Sequence, residues 1–539
     1  MRFPKKNDFR FMEGFSVETM TYQDLMFNGV RRFDHQPALT YLEKNETISY
    51  KELQNRVDRI AGYLMQLGAG VGTHIAMSIP NSIESVLFSR AIGRCGAVLV
   101  PLNNKLGVSE VDFILADAEP DVVIIATSNH IESVLEYQKG TAGRIVVGIP
   151  GFAIDYPEEF IIFNWDQTVS SVEFPVAKPD DTALISYTGG TTGTPKGVIH
   201  SQKNLAAGLQ TASMEYPYDD QDKVLFCTPL VHSAGVLLNR SLLSGSHVYI
   251  LRSFQPGAFL HAVQNEGITS TFVVPTIIYR LIDEAKEKNY DVSSLRNINY
   301  GSSPISPERL KEAFALFGPI LRQQYGMTEC SILIARLTKS DHQWAYKNKR
   351  EVLKSCGKPC LGTSIRLVDD HGNCDQTVRR GEIIVKAPYL SSGYYKRPEL
   401  TENSFRDGWF YTGDIGEIDD SGFLYIVERK KDMIISGGFN VYSVEVERVI
   451  NQHPAVDMSA CIGVPHSDWG EAVCVFVVLR KDKSCSKEEL IRFCKERTSS
   501  YMVPKEVHFK ASLPLTMIGK IDKKKLKEPF WEKVERQVH

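Results

Sequence analysis

Residues 187–197 read Tyr187-Thr188-Gly189-Gly190-Thr191-Thr192-Gly193-Thr194-Pro195-Lys196-Gly197. They follow an apolar run, residues 183–186, that is typical of a buried strand. Four glycines allow the backbone to turn tightly and to approach a ligand closely. Threonine hydroxyls and free backbone N–H groups can surround anionic oxygens, and Lys196 adds a positive charge. This stretch, which we name the phosphate loop, predicts a site for a polyphosphate.

The phosphate loop differs from the Walker A loop of P-loop proteins. The Walker A pattern ends in Gly-Lys-Ser or Gly-Lys-Thr, whereas Lys196 stands between Pro195 and Gly197. A nucleotide would therefore be held differently here. The alternative interpretation is a plain turn between a strand and a helix, and the choice between the two depends on the rest of the chain.

The length, net charge and cysteine content of the chain limit the classes of protein to which it can belong. With 539 residues the chain is too long for a single core, so two or more domains are expected. The net charge of -3 argues against a dedicated nucleic-acid binder, although residues 430–539 hold a basic excess that suits an anionic partner. Ten cysteines without metal-binding spacing, and an N-terminus without an apolar signal core, predict a cytoplasmic protein with reduced thiols and no transmembrane segment.

Strand and helix patterns alternate along most of the chain, which predicts an α/β fold with mostly parallel sheets covered by helices on both faces. From about residue 380 the pattern changes to short strands, which predict a small barrel-like subdomain. A polar break follows, and a second α+β pattern begins after it. We therefore predict a large N-terminal domain, residues 1–428, and a smaller C-terminal domain, residues 429–539. The short strands are expected at residues 382–386, 409–412, 416–419 and 423–427.

Further motifs follow the phosphate loop, and each is weak alone. Tyr325 and Glu329 lie in Gln324-Tyr325-Gly326-Met327-Thr328-Glu329, where an aromatic ring can stack on a purine and a carboxylate can bind Mg²⁺. Asp414, in Tyr411-Thr412-Gly413-Asp414, can accept the hydroxyls of a ribose, or simply form an Asx-turn. Arg429 and Lys431 precede a glycine-rich turn, and Lys520 follows Gly519 near the end of the chain; ordinary surface residues are the alternative.

Taken in order, these motifs resemble those of the adenylate-forming superfamily, which includes acyl-CoA synthetases. The resemblance covers residues 20–528 and implies an AMP-forming acid–CoA ligase that uses ATP, Mg²⁺ and CoA. Glu329, with Thr188, would bind the metal, and Lys520 would bridge the carboxylate and the α-phosphate. The implied nucleotide-binding residues are Thr188, Gly189, Gly190, Thr191, Thr192, Gly193, Thr194, Lys196, Gly301, Ser302, Ser303, Gln324, Tyr325, Gly326, Thr328, Asp414, Arg429 and Lys520.

The resemblance also implies a second step, in which the C-terminal domain rotates about a hinge at Lys431 and the acyl group passes to the thiol. Ser436, Gly437 and Gly438 would then line the CoA tunnel. His232 matches a position that gates the acyl site, with a structural histidine as the alternative. The chain departs from the common pattern at Gly189, Val231 and Ser443, which leaves the fine geometry of these places open.

Two other functions stay open. One is an adenylation enzyme that loads a phosphopantetheinyl carrier protein, and the other is a non-catalytic nucleotide-binding scaffold. Small and apolar residues after His232 favour a short- or medium-chain fatty acid or an aryl acid. No arginine stands out to bind a second carboxylate, and such a role stays open for Arg240 and Arg336. The oligomeric state is not readable from the sequence, so a homodimer stays open. The other expected pocket segments are residues 274–279, 301–304 and 326–333.

Overall fold

The computed structural model describes thirteen segments of the chain. They are residues 20–28, 31–140, 143–166, 173–188, 195–303, 305–331, 333–369, 371–375, 377–429, 432–436, 439–467, 469–515 and 521–531. All ten cysteines lie in these segments, and none of them forms a disulfide. No described helix combines the length and the apolar character needed to cross a bilayer.

The helices begin where the sequence carries capping signals. Ser306 caps a helix that has Pro307 at its first position, and Ser486 forms a capping box with Glu489. The described helices are α1 Tyr22–Asn28, α2 Tyr50–Gln66, α3 Ile83–Arg94, α4 Val108–Ala118, α5 Ile131–Lys139, α6 Gln202–Glu215, α7 Ser233–Leu243, α8 Pro256–Glu266, α9 Pro275–Glu287, α10 Pro307–Phe317, α11 Lys339–Asn348, α12 Pro398–Ser404, α13 Ser443–Ile450, α14 Lys487–Lys495 and α15 Lys523–Trp531.

The strands are short and apolar in the first half of the chain. They are β1 Pro37–Tyr41, β2 Glu46–Ser49, β3 His74–Ser78, β4 Val98–Pro101, β5 Val122–Ile125, β6 Ile145–Gly148, β7 Ile161–Ile162, β8 Thr182–Thr188, β9 Lys196–Ser201, β10 Lys223–Phe226, β11 His247–Ile250, β12 Ser270–Val273, β13 Asn297–Gly301 and β14 Leu321–Tyr325. The later strands are β15 Ala335–Leu337, β16 Lys358–Pro359, β17 Ser364–Val368, β18 Arg380–Lys386, β19 Gly393–Tyr394, β20 Phe405–Arg406, β21 Trp409–Ile418, β22 Leu424–Arg429, β23 Ile434–Ser436, β24 Phe439–Val441, β25 Val456–His466, β26 Gly470–Leu479 and β27 Glu506–Phe509.

The contacts within the chain divide it into two compact units. The first comprises Met1–Leu353, Pro359–Ser364 and Lys386–Gly408, and the second comprises Lys354–Lys358, Ile365–Val385 and Trp409–His539. Short pieces of the chain therefore alternate between the units from residue 354 to residue 409. The boundary after residue 428 that the sequence suggests stays a prediction.

Two mostly parallel sheets form the framework of the first unit, as the alternating pattern predicts. Eight strands of one sheet follow the order β15-β14-β13-β12-β10-β11-β1-β2, with antiparallel pairs at β14–β15 and β1–β2 and parallel pairs between them. The other has the order β19-β9-β8-β4-β3-β5-β6-β7, with antiparallel pairs at β9. Buried side chains on the faces of both sheets form the core, because helices cover strands that are apolar on both sides.

The second unit holds two further sheets. In one of them β17, β18, β21 and β22 lie side by side, and in the other β24, β23, β26 and β25 do so, with β27 beside β26. The prediction of two strands at residues 409–412 and 416–419 is wrong, because β21 runs through both. The pairing of β21 with β22 shifts register between Ile415 and Gly416, while the strand itself continues. An added Cβ at Gly416 would lie 2.7 Å from Ile383 Cδ1, so the packing against Ile383 favours glycine there. Gly416 therefore lies at a bulge within β21 and does not end the strand.

Candidate functional site

The phosphate loop connects two antiparallel strands of the first unit. β8 ends at Thr188, β9 begins at Lys196, and the two residues lie opposite each other in the ladder. The strand pairing thus fixes both ends of the loop at one edge of the sheet. The intervening predicted residues, Gly189, Gly190, Thr191, Thr192, Gly193 and Thr194, lie outside the described residues, so their contacts with a nucleotide stay predictions.

Lys196, Glu329 and Tyr394 meet at the base of the phosphate loop, and we call them the Lys–Tyr–Glu cluster. Lys196 Nζ donates to the hydroxyl of Tyr394 over 2.9 Å and lies 3.4 Å from Glu329 Oε1. The hydroxyl of Tyr394 donates in turn to Glu329 Oε1 over 2.8 Å. The carboxylate is buried, whereas 29% of the Lys196 side chain is exposed. The ammonium therefore keeps access to a ligand while the cluster holds it in place.

Sequence reasoning missed Tyr394. The residue sits in β19, a two-residue strand that pairs with β9 through Tyr394 and Val198. Burial and the neighbouring carboxylate of Glu329 raise the pKa of Tyr394 well above its ordinary value, so the phenol keeps its proton and donates. A glycine followed by two tyrosines, Gly393-Tyr394-Tyr395, is the only sequence signal that could have drawn attention to it.

A second group of predicted residues meets where β13 and β14 end. These parallel strands are neighbours, and Gly301 lies opposite Gln324 in their register. An added Cβ at Gly301 would lie 2.6 Å from the carbonyl oxygen of Gln324, so the close approach of the strands requires glycine. Ser302 and Ser303 follow β13, while Tyr325 closes β14 with a buried ring. The carboxyl ends of parallel strands are the usual place for a ligand in α/β sheets.

The turn after β14 connects this edge of the sheet to Glu329, which belongs to the Lys–Tyr–Glu cluster at the base of the phosphate loop. Gly326 precedes a short 3₁₀ helix, Thr328–Cys330, which begins at Thr328 and has Glu329 as its middle residue. The backbone carbonyl of Glu329 accepts a hydrogen bond of 2.8 Å from Ser391 N. The predicted adenine side and the predicted phosphate side of the site are therefore joined by a few residues of chain, and both belong to the first unit.

His232 stands at the start of α7, where it lines an apolar cavity of about 130 Å³. Its Nε2 lies 3.0 Å from Asn103 Nδ2, and because an amide nitrogen only donates, Nε2 accepts this bond. Burial lowers the pKa of His232, so the ring is neutral with its proton on Nδ1. The cavity continues from His232 along α7 and α3, past Gly235 and Val86.

The cavity differs in part from the pocket that the sequence predicts. Residues 231–238 contribute to its wall, and Ser331 does so from the segment 326–333, whereas segments 274–279 and 301–304 do not. Its other walls come from the helices α1, α3 and α6 and from residues in or next to the strands β3, β4 and β8, which the sequence did not suggest. Arg240 and Arg336 do not line it, since Arg240 donates to the carbonyls of Ser213 and Tyr218 and Arg336 pairs with Glu215.

The remaining predicted residues belong to the second unit. Asp414 is buried in β21 and lies opposite Arg429 of β22 in the strand register. Ser436 is buried at the end of β23, opposite Gly470. The proposed hinge, CoA-tunnel glycines and catalytic lysine, which are Lys431, Gly437, Gly438 and Lys520, lie outside the described residues, so their roles stay predictions.

Glu329 and Thr188 offer a donor set that fits a magnesium ion. Both supply oxygen atoms, which Mg²⁺ prefers, and one of them is a carboxylate. Thr188 Oγ1 is buried and has no hydrogen-bond partner among the described residues, so this hydroxyl is available to a ligand. The two residues would hold the ion where the phosphate loop begins.

Comparison with known proteins identifies the family. The model of the AMP-binding enzyme family matches residues 27–395, and that of the AMP-binding enzyme C-terminal domain matches residues 445–520. The medium/long-chain-fatty-acid–CoA ligase FadD8 of Mycobacterium tuberculosis is 34% identical over 95% of this chain and 91% of its own length. A feruloyl-CoA synthase from Amycolatopsis is 35% identical over 93% of this chain and 98% of its own.

Solved structures agree with this assignment. The amide bond synthetase McbA from Marinactinospora thermotolerans superposes with a TM-score of 0.82 at 29% identity, covering 94% of this chain and 98% of that one. The phosphate loop, the Lys–Tyr–Glu cluster and the ends of β13 and β14 all lie within the segment that the first family model matches. The chain therefore belongs to the adenylate-forming superfamily of AMP-binding enzymes, among the acyl-CoA synthetases.

Proposed function

We propose that this acyl-CoA synthetase activates a short- or medium-chain fatty acid or an aryl acid in two steps. In the first, a carboxylate oxygen attacks the α-phosphorus of ATP. The bond from that phosphorus to the oxygen bridging the β-phosphorus breaks, giving acyl-AMP and pyrophosphate. In the second, the CoA thiol loses its proton, its sulfur attacks the acyl carbonyl and AMP leaves as the thioester forms.

The observation that carries this proposal is the Lys–Tyr–Glu cluster at the base of the phosphate loop. ATP and a carboxylate repel each other, so an adenylating site has to offset their negative charges. Lys196 holds a partly exposed ammonium beside the loop, and Tyr394 orients it against Glu329. Bound Mg²⁺ would supply further electrostatic stabilisation of the phosphates, with Glu329 and Thr188 as its protein ligands.

The acyl side of the site is formed by His232 and the apolar cavity behind it. A neutral imidazole that accepts a hydrogen bond from Asn103 in the cavity wall can change its orientation without losing a charge interaction. Such a ring suits a gate between carboxylate and thiol access. The family resemblance supports ribose binding by Asp414 and Arg429, adenylation by Lys520, and thiol transfer past Ser436, Gly437 and Gly438 after rotation about Lys431.

Acid-dependent exchange of pyrophosphate into ATP tests the first step. We expect exchange with at least one acid from a panel of fatty, aryl and dicarboxylic acids, and strongly reduced exchange in Lys196→Met. Lys203→Met is the matched control, because Lys203 forms an exposed pair with Asp180. Absence of exchange with every acid would favour a non-catalytic scaffold.

The acceptor in the second step requires a separate measurement. Purified acyl-AMP would be offered to CoA, to a phosphopantetheinylated carrier protein and to an amine, since McbA is an amide bond synthetase. We expect the CoA thioester to form fastest. Preferential acylation of the carrier protein or of the amine would overturn the choice of CoA while leaving the adenylation step intact.

A further inference from the structure

The apolar cavity that His232 lines also holds a hydrogen-bonded group of three polar side chains, Arg90, Asn239 and Tyr22, which we call the distal cap. All three line the cavity. Arg90 Nη1 donates to Asn239 Oδ1 over 3.3 Å, and Asn239 Nδ2 donates to the hydroxyl of Tyr22 over 2.9 Å. The rest of the cavity wall is mainly aliphatic, with residues such as Val86, Leu209 and Val236. A polar cap on an apolar cavity calls for an explanation.

The position of the distal cap follows from α7. His232, Gly235, Val236 and Asn239 line the cavity at spacings of three and four residues, so they share one face of the helix. Two helical turns separate His232 from Asn239, a distance of roughly 10 Å at 1.5 Å per residue. The distal cap therefore lies opposite the end at which His232 stands.

Arg90 carries a buried charge for which the structure provides no counter-ion. The residue is 3% exposed, and no described carboxylate forms an ion pair with it. Burial lowers the pKa of Arg90 only to about 10, so the guanidinium stays charged near neutral pH. Its next arginine on the same helix, Arg94, is paired with Asp58 over 3.0 Å. A buried charge without a partner carries a desolvation penalty, which an anionic ligand would offset.

The distal cap also contains hydrogen-bond donors that have no acceptor among the described residues. Of the five N–H groups of a guanidinium, three on Arg90 contact Met26 Sδ, the Met26 carbonyl and Asn239. Nε of Arg90 has no acceptor among the described residues. The Tyr22 hydroxyl accepts from Asn239, and burial raises its pKa to about 12, so its own proton is available. Excess donors around a positive charge match an anionic acceptor.

From this geometry we infer that the cavity accepts an acid with a carboxylate at each end, one reacting near His232 and the other bound by Arg90, Asn239 and Tyr22. This inference rests on the proposed adenylating function and names the substrate class within it. The middle of the substrate would be an aliphatic or aromatic spacer, because the wall between the two ends is apolar. The product would be a monothioester that keeps a free distal carboxylate.

Matched acids of equal chain length test the inference. Pyrophosphate exchange is measured with octanoate and suberate, with decanoate and sebacate, and with the corresponding ω-hydroxy acids. We expect wild-type kcat/KM for the dicarboxylate to exceed that for the methyl-ended acid by at least tenfold, with the hydroxy acid between them. Arg90→Met is expected to reverse this order. The ratio is taken within one preparation, so a reduced folded fraction cancels.

Two further variants separate binding from a structural role of Arg90. Asn239→Leu removes one side of the distal cap and should narrow the preference for the dicarboxylate. Arg94→Met, one turn along α3, should leave the ratio unchanged.

Preference of the wild-type chain for methyl-ended acids, or an unchanged ratio in Arg90→Met, would overturn the inference. In the latter case Arg90 would serve only to hold α1 through the Met26 carbonyl. If no acid of any kind supports exchange, the proposed function fails instead, so the two failures are distinguishable.

Discussion

At the scale of single residues, one hydroxyl organises the base of the phosphate loop. Tyr394 accepts from Lys196 and donates to Glu329, and the Lys196 ammonium also lies 4.1 Å from the centre of the tyrosine ring. The hydroxyl and the ring of Tyr394 thus both contact the Lys196 ammonium and restrict its position. Without this hydroxyl, Lys196 and Glu329 would be joined only by their ion pair of 3.4 Å, and the ammonium would be held less firmly for a phosphate.

We predict that Tyr394→Phe reduces acid-dependent pyrophosphate exchange about 10- to 100-fold, since hydrogen bonds to charged groups contribute about 1.5–3 kcal/mol. The phenyl ring keeps the packing, so the unfolding temperature should change little. Tyr395→Phe is the matched control, because its ring stacks edge-on against His74 but its hydroxyl takes no part in the cluster. Equal exchange in both variants would show that the Tyr394 hydroxyl has no role in the reaction.

A second residue-scale prediction concerns the end of β13. Gly301→Ala would bring a Cβ to within 2.6 Å of the Gln324 carbonyl oxygen, so β13 and β14 have to separate. We expect weaker ATP binding, measured by calorimetry, together with a lower unfolding temperature. Gly70→Ala is the control, because nothing lies within 4 Å of a Cβ at Gly70. Unchanged ATP affinity in Gly301→Ala would argue against adenine binding at this edge.

At the scale of elements, a half-buried ion pair joins two helices of the second unit. Lys523 of α15 lies 2.8 Å from Glu447 of α13 and also donates to Ser443 Oγ. Glu447 accepts a further bond of 2.7 Å from the backbone of Cys461. Burial raises the pKa of Glu447, and the nearby carboxylates raise the pKa of Lys523 against the effect of its own burial. Lys523 is therefore anchored to α13, whereas the neighbouring Lys525 is exposed.

We predict that Lys523→Met destabilises the second unit by about 1–3 kcal/mol, because removing the lysine leaves the half-buried carboxylate of Glu447 without its cation. The double variant Lys523→Met with Glu447→Gln should recover most of this loss, since the remaining amide is neutral. Lys525→Met provides the control, as Lys525 is exposed. Denaturant unfolding of the full chain measures the effect, and equal destabilisation of the single and double variants would contradict it.

Much of the arrangement of elements was predictable because its signals are local. Alternating apolar runs marked the parallel strands, and Ser306 and Ser486 marked helix starts through caps that involve only neighbouring residues. Glycines were harder to interpret, as the unbroken β21 at Gly416 shows. In that case the cross-strand neighbour Ile383, and not the local sequence, determines what the glycine does.

The candidate site was predictable only where a motif carries it. Thr188, Lys196 and Glu329 stood in recognisable motifs, and the structure brings Lys196 and Glu329 together. Tyr394 and Arg90 could not be found in this way, since each acts through partners far away in the chain. Burial without a counter-ion is a property of the folded chain, so no sequence window reveals it.

At the scale of the whole molecule, buried neutral histidines tie the stability of the first unit to pH. Burial lowers the pKa of His200, His247 and His342 from 6.5 to about 4 in each case. Below pH 6.5 the unfolded chain binds protons at these rings that the folded chain does not. Their contribution to stability is therefore complete above pH 6.5 and is lost progressively as the pH falls toward 4.

We predict that the free energy of unfolding of the first unit decreases by about 1.4 kcal/mol per pH unit for each fully buried ring below pH 6.5. His342→Gln should flatten this dependence, whereas His371→Gln at an exposed position should not. Urea unfolding of the full chain at pH 7, 6 and 5 provides the measurement. The same slope in His342→Gln as in the wild-type chain would show that His342 is protonated in the folded state.

The spacing of the Lys–Tyr–Glu cluster along the sequence also determines how late in translation the cluster can form. Lys196 and Tyr394 are 198 positions apart, and Glu329 lies 65 positions before Tyr394. A ribosome that adds about 5–20 residues each second needs on the order of 10–40 s to make the first of these intervals. Throughout that time the phosphate loop exists without β19 and its tyrosine. A nascent chain therefore cannot complete its cluster until Tyr394 has been translated, and any product that stops earlier carries the loop without its full support.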